Sequence, residues 1–265
     1  MEMDLHLQKK VVVITGGGTG IGKATARAFA QEGARVVICG RRVPVLEQTQ
    51  QAFRAEGLEV AVRQLDVCDT QAMQAVADQI AGEYGGIDVW VNNAGIAISK
   101  PVMAFTEEDY ETITRTNQRS VYEGCRIAGR IMMEQGRGGV IINASSYASK
   151  IPHASGAIYA ATKAAVNSMT RTFAANLAPY GIRVVGFIPG MIVTEMAAED
   201  IRRNEAHYVQ NVALHRLGTP EDMAKPIVFL ASDACGYITG VELEVSGGKY
   251  VVQNAQEPWR WKERQ

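Results

Sequence analysis

Short runs of β-branched residues alternate along this chain with longer stretches of helical periodicity, and that order leaves few folds open. The runs begin at Val11 (VVVIT), Ala34 (ARVVIC), Val60 (VAVRQLD), Asp88 (DVWVNNA), Gly139 (GVIINAS) and Ile182 (IRVVGFI). Between them the pattern predicts helices over 21–32, 45–56, 70–84, 107–134 and 158–177, with Gly33, Gly57, Gly85 and Gly181 marking helix ends. Such alternation predicts a parallel sheet. Several runs are apolar at consecutive positions, as strands covered by helices on both faces must be. The expectation is one α/β domain over residues 1–265: a doubly wound parallel sheet with helices on both faces. Its core spans about 10–248, with a polar insertion over 194–216 and a C-terminal tail over 249–265. VELEV, from Val241, predicts the last strand.

Composition narrows the partners. With 47% hydrophobic residues and 26 glycines in 265, the chain can bury a sizeable core and has ample turn chemistry. A formal net charge of -1, with no long basic run, offers nothing to a phosphate backbone or an anionic lipid surface, so neither nucleic acid nor membrane is expected as partner. The start, MEMDLHLQKKVVVIT, lacks the pattern of a secretory signal, and the chain is expected in the cytoplasm. Cys39, Cys68, Cys125 and Cys235 show no CxxC spacing, and the four histidines form no HExxH pattern; no metal site is predicted.

The first run passes directly into TGGGTGIGKATARAFA, placing Gly16, Gly20 and Gly22 between a strand and an amphipathic helix. Glycine permits the tight turn and lets backbone N–H groups approach a diphosphate at the helix N-terminus, where the dipole favours anions. The spacing is GxxxGxG rather than GxGxxG, and alone it also reads as a simple turn. In a Rossmann-type sheet, the end of the second strand meets the adenosine ribose, usually through an acid when the cofactor is NAD. Here that strand ends ICGRR: Gly40 takes the acid's place and Arg41 offers a guanidinium to a 2′-phosphate, so NADP(H) is favoured, with NAD(H) possible. The alternative is that Arg41 and Arg42 are a solvated pair at a strand end.

Tyr159 and Lys163 stand four residues apart in GAIYAATKAAV, which on a helix sends both side chains from one face. A free tyrosine, with a pKa near 10, is too weak an acid to serve as a base at neutral pH, and a nearby ammonium stabilises its phenolate. Alone, the pair equally describes an ordinary helix-surface contact. Ser146 falls just past the end of the GVIINAS strand, at the edge where open α/β sheets hold ligands; alone, it equally describes a turn or cap residue.

Taken in order, these segments resemble the short-chain dehydrogenase/reductase family over nearly all the chain. TGGGTGIG, with Gly16, Thr19, Gly20, Ile21 and Gly22, resembles its cofactor loop, and LDV, with Asp66 and Val67, resembles the segment that meets adenine. NNAG, with Asn93, Ala94 and Gly95, resembles its central-sheet motif, and PGMIVTEM, with Pro189, Gly190, Ile192 and Thr194, resembles the loop that meets the nicotinamide carboxamide. Asn117, Ser146, Tyr159 and Lys163 match the family's catalytic positions, although Gln118 and Arg119 depart from the apolar-then-small pair common among relatives. The resemblance implies hydride transfer between a nicotinamide cofactor and a carbonyl or secondary alcohol. In it, Ser146 and Tyr159 bind the substrate oxygen, Tyr159 moves the proton, Lys163 lowers the tyrosine pKa and binds the ribose, and Asn117 supports a relay water. It also implies a homo-oligomer formed through the long helices that begin near Glu107 and Ile158. The 194–216 segment is expected to fold over the cleft, with Arg202, Arg203 and His207 as solvated charges. Trp259 and Trp261 in the tail pack on a neighbouring subunit or lie in a disordered terminus.

Overall fold

In the computed structural model, which describes residues 4–264, the consecutive apolar residues of the strand runs are buried by helices on both faces of one sheet. Met1, Glu2, Met3 and Gln265, at the two ends considered above, lie outside the described residues. The strands are β1 (Val11–Thr15), β2 (Arg35–Gly40), β3 (Val60–Gln64), β4 (Val89–Asn92), β5 (Gly139–Ala144), β6 (Ile182–Pro189) and β7 (Glu242–Val245). They pair in the order β3-β2-β1-β4-β5-β6-β7, and every pairing is parallel.

The helices are α1 (Gly20–Gln31), α2 (Val43–Ala55), α3 (Thr70–Tyr84), α4 (Glu107–Thr114), α5 (Ser120–Gln135), α6 (Ala157–Leu177), α7 (Ala198–Gln210), α8 (Pro220–Ala231) and α9 (Glu257–Lys262). Successive strand residues point to opposite faces, so each strand feeds two cores. Val12, Ile14 and Ile38 meet Phe29 of α1, Phe53 of α2 and Ile227 of α8. Val11, Val13 and Val37 meet Ile80 of α3, Ile131 of α5 and Val166 of α6. Full burial of each such side chain is worth about 1.5–3 kcal/mol, which explains why these runs cannot alternate with polar residues.

The predicted 107–134 helix is interrupted by a π turn, Arg115–Arg119, at the positions where Gln118 and Arg119 break the family pattern. Three helices, α7, α8 and α9, lie beyond those predicted. Helix α8 begins with a capping box between Thr219 and Asp222. Helix α7 buries only Ile201 and is broken at Asn204, so it lacks a continuous apolar stripe to announce it.

The strand order reverses between β1 and β4, and the chain leaves both strands at the same edge, opening a crevice there. The tail folds back onto its own chain. Tyr250 N–H donates to Asn211 O at 2.9 Å, and the Trp259 indole N–H donates to Ala213 O at 2.9 Å. The Trp259 ring stacks on His215 with centroids 5.1 Å apart. That corrects the expectation for Trp259: a partner for its N–H and its ring is available within the same subunit. Trp261 remains exposed.

Candidate active site

The cofactor loop joins β1 to α1 along a path that only glycine allows. Gly16 has φ +67°, and a Cβ on Gly22 would lie 2.2 Å from the Gly16 carbonyl oxygen. Thr15 and Asn93 clip this loop to the end of β4. The Thr15 hydroxyl donates to Val91 O at 3.2 Å and accepts from the N–H groups of Asn93 and Ala94 at 3.0 and 3.1 Å. The Asn93 side-chain amide donates to the carbonyls of Thr15 and Gly16 at 3.0 and 3.2 Å. Thr19 is the N-cap of α1, yet its side chain makes no capping hydrogen bond and no acid occupies the first turn. The helix thus presents free N–H groups, a free hydroxyl and a positive dipole end to the crevice.

The crevice is a single cleft lined by Gly16, Thr19, Gly20, Ile21, Arg41, Asp66, Val67, Asn93, Ala94, Gly95, Tyr159, Lys163, Pro189 and Thr194 among the predicted residues. Gly22, Gly190 and Ile192 do not border it. Gly22 is buried against Gly16; a Cβ on Gly190 would lie 2.7 Å from Ser246 Cα; Ile192 is buried in the core. These three pack where they set the paths of the two loops. Asn117 and Ser146 also lie off this lining, for the reasons below.

At the far end of the cleft, α6 carries Tyr159 and Lys163 one turn apart. Lys163 is only 4% exposed, and its Nζ donates to Ala144 O at 2.8 Å, at the end of β5. Ser145 Oγ donates to Lys163 O at 3.3 Å, tying the same strand end to α6. Burial pulls the Lys163 pKa down to about 8. Burial also pushes the Tyr159 pKa up, and the neighbouring Ser146 hydroxyl opposes it. Lys163 Nζ lies 5.8 Å from the Tyr159 ring centroid. Ser146 caps the short turn Tyr147–Ser149, its Oγ accepting from Ala148 N–H at 3.1 Å.

Asn117 is fully buried in the π turn. Its side chain pairs with the Ile96 backbone in both directions, donating to the carbonyl at 2.8 Å and accepting from the N–H at 2.9 Å. A Cβ on Gly95 would lie 3.3 Å from Asn117 Oδ1 and 3.6 Å from Lys163 Nζ, so Gly95 is the narrow wall between them.

Several contributors were missed in the sequence. Arg42, Glu195 and Met196 line the mouth of the cleft, with Arg42 and Glu195 paired at 3.9 Å across it. Arg41 lines the cleft, is exposed, and has no carboxylate partner among the described residues. Thr15, Ala144 and Ser145 act through one hydroxyl or carbonyl each, and only the position of Ser145 before Ser146 hinted at a role. Arg202, Arg203 and His207 are exposed, and Arg203 pairs with Glu199. Among the described residues, no cluster of His, Cys, Asp or Glu could hold a metal ion, and no helix is long and apolar enough to cross a membrane.

A dinucleotide crevice at a sheet's switch point, closed by a Tyr-Lys pair and a serine, defines a class of nicotinamide-dependent oxidoreductases. The model of a family described as enoyl-(acyl carrier protein) reductase matches residues 16–249. The chain is 38% identical over 249 residues to the L-rhamnose 1-dehydrogenase (NAD(P)(+)) of Azotobacter vinelandii, covering 91% of this chain and 97% of that protein. A short-chain type dehydrogenase/reductase from Mycobacterium marinum superposes with a TM-score of 0.90 at 33% identity, covering 94% of this chain and 98% of that one. A structure from Beutenbergia cavernae with bound NADP superposes with a TM-score of 0.89 at 32% identity, covering 94% and 100%. The chain belongs to the short-chain dehydrogenase/reductase family and is an oxidoreductase of alcohol and carbonyl groups.

Proposed function

We propose that this enzyme moves hydride between NADP(H) and a carbonyl or secondary alcohol, with Ser146, Tyr159, Lys163 and Asn117 carrying the proton chemistry. The observation behind the reading is convergence: Tyr159 and Lys163 close one end of the cleft whose other end is the glycine loop, with Ser146 beside the tyrosine. The residues fit a dinucleotide. The loop is a cradle that a Cβ would fill, and the unused Thr19 hydroxyl and the α1 N-terminus suit a diphosphate. Asp66 and Val67 would border adenine, Arg41 the 2′-phosphate, Lys163 the second ribose, and Pro189 and Thr194 the nicotinamide. When bound, the cofactor supplies or accepts the hydride.

The protein's own part is to bind the substrate oxygen and move a proton. Ser146 donates a hydrogen bond to that oxygen. Burial favours the phenol form of Tyr159, which donates its proton in the reducing direction; in the oxidising direction it first yields that proton to the relay water and is then re-formed by the proton of the alcohol. Asn117, its side-chain amide committed to Ile96 and its Oδ1 near Gly95, would support the relay water. One domain, residues 1–265, contains both the cleft and the lid; four unpaired cysteines fit a reducing cytoplasm, and the assembly is a homo-oligomer.

Cofactor choice tests this reading. NADP(H) should exceed NAD(H) in kcat/KM by roughly ten- to a hundredfold, the value of one charge-assisted contact to phosphate. A Cβ on Gly40 would meet Leu46 no closer than 3.5 Å, so the Gly40→Asp, Arg41→Ser double variant should fold and shift preference toward NAD(H). An unmodified enzyme that prefers NAD(H) in matched assays would make Arg41 a solvated strand-end charge.

A further inference from the structure

Lys249, just beyond β7, is a buried ammonium that the proton chemistry above does not use. The residue is 3% exposed, and its Nζ lies 5.3 Å from the ring centroids of both Tyr147 and Tyr250. Those two rings, 6.0 Å apart, hold the charge between them but offer it no anion. Burial lowers its pKa, and no carboxylate offsets that effect. The acids nearby are engaged or point elsewhere: Glu244 pairs with Lys150 at 2.5 Å and accepts from Ser246 Oγ at 2.6 Å, while the charge of Asp200 on α7 is felt at His153 and Tyr208. His153, in the loop between Ser146 and Tyr159, has its pKa lowered by burial first and by the Lys249 charge second.

Position gives this ammonium its meaning. Tyr147 directly follows Ser146, and Ser146 meets Tyr159. Neither Tyr147 nor Lys249 borders the cofactor cleft, and the Tyr147 ring joins the charge to the chain neighbour of Ser146. Its backbone is fixed as well: Lys249 N–H donates to Ser246 Oγ at 3.2 Å, and the residue bridges to Val212 at the end of the lid. An unpaired buried charge is costly, and a ligand anion that pairs with it recovers that cost only when bound.

We propose that Lys249 is the specificity residue of the substrate end and binds a carboxylate, so that the substrate is a hydroxy acid or the matching oxo acid. This rests on the assignment of Ser146 and Tyr159 made above. Removing the charge should remove discrimination against neutral substrates while leaving hydride transfer in place.

The test compares acids with partners in which hydroxymethyl replaces the carboxylate, gluconate with glucitol and lactate with propylene glycol, each with saturating NADP+ and again with NAD+. The intact enzyme should favour the acid in at least one pair by roughly ten- to a hundredfold in kcat/KM. Lys249→Met and Lys249→Gln should lose that preference through the acid's KM, keep their rate on the neutral partner, and bind cofactor and unfold thermally no worse than the parent. Preference for acid that survives both substitutions overturns the proposal, as does equal use of acid and neutral alcohol by the intact enzyme; in both cases the hydride-transfer reading stands. Oxidation of neither member of any pair with either cofactor overturns the proposal and counts against that reading as well.

Discussion

Lys163 is an ammonium held in the interior at the expense of stability. Its pKa falls from 10.5 unfolded to about 8 folded, so the folded state disfavours its charge. That penalty is present in full below about pH 8, is relieved as pH rises from there toward 10.5, and vanishes above. Lys163→Met should therefore be at least as stable as the parent at pH 7, by up to roughly 3 kcal/mol, with the gap narrowing by pH 9. Denaturant midpoints of both proteins at the two pH values check this, and a variant destabilised equally at both would contradict it. The same variant should lose turnover. At this scale Tyr159, Lys163, Gly16 and Gly20, which line one cleft, were legible through the order of their motifs along the chain rather than through any one spacing. Thr15, Ala144 and Ser145 were not, because a hydroxyl or carbonyl that ties two strand ends together has no sequence pattern until the strands are paired.

Among the elements, the strands were legible to within a residue or two at most ends because burial on both faces forces consecutive apolar residues. The helices were less so. The 107–134 periodicity predicted one rod, yet the chain inserts the π turn that carries Asn117 inward. Helix α7 escaped detection because its only buried side chain is Ile201. Helices α5 and α6 bear the assembly prediction. Tyr122 of α5 is 46% exposed and packs at 5.8 Å on Phe173 of α6, forming an outward aromatic ledge. Light scattering at micromolar concentration should return at least twice the 28.7 kDa of one chain, and Tyr122→Glu should lower that mass. A single-chain mass for the parent would contradict the oligomer.

Over the whole molecule, the sheet separates two tasks. The β1 and β4 ends, with Thr15 and Asn93, hold the glycine loop in shape, while the end of β5 and α6 bring Ala144, Ser145, Tyr159 and Lys163 to the far end of the same cleft. The 194–216 segment and the tail pair with each other, at Asn211 with Tyr250 and at Ala213 with Trp259. The pairing with the tail could not be read from the sequence, since it joins two polar segments without periodicity. The division of labour predicts that proton transfer can be removed without loss of cofactor binding, and Tyr159→Phe isolates it, deleting one hydroxyl and keeping the ring. With NADP(H) and any substrate the parent accepts, its kcat/KM should fall roughly 10²–10⁴-fold, the usual worth of a positioned acid or base. The NADP(H) dissociation constant, from fluorescence titration of the same preparation, should stay within about threefold of the parent's. Turnover within about tenfold of the parent would remove Tyr159 from the proton path and contradict the account.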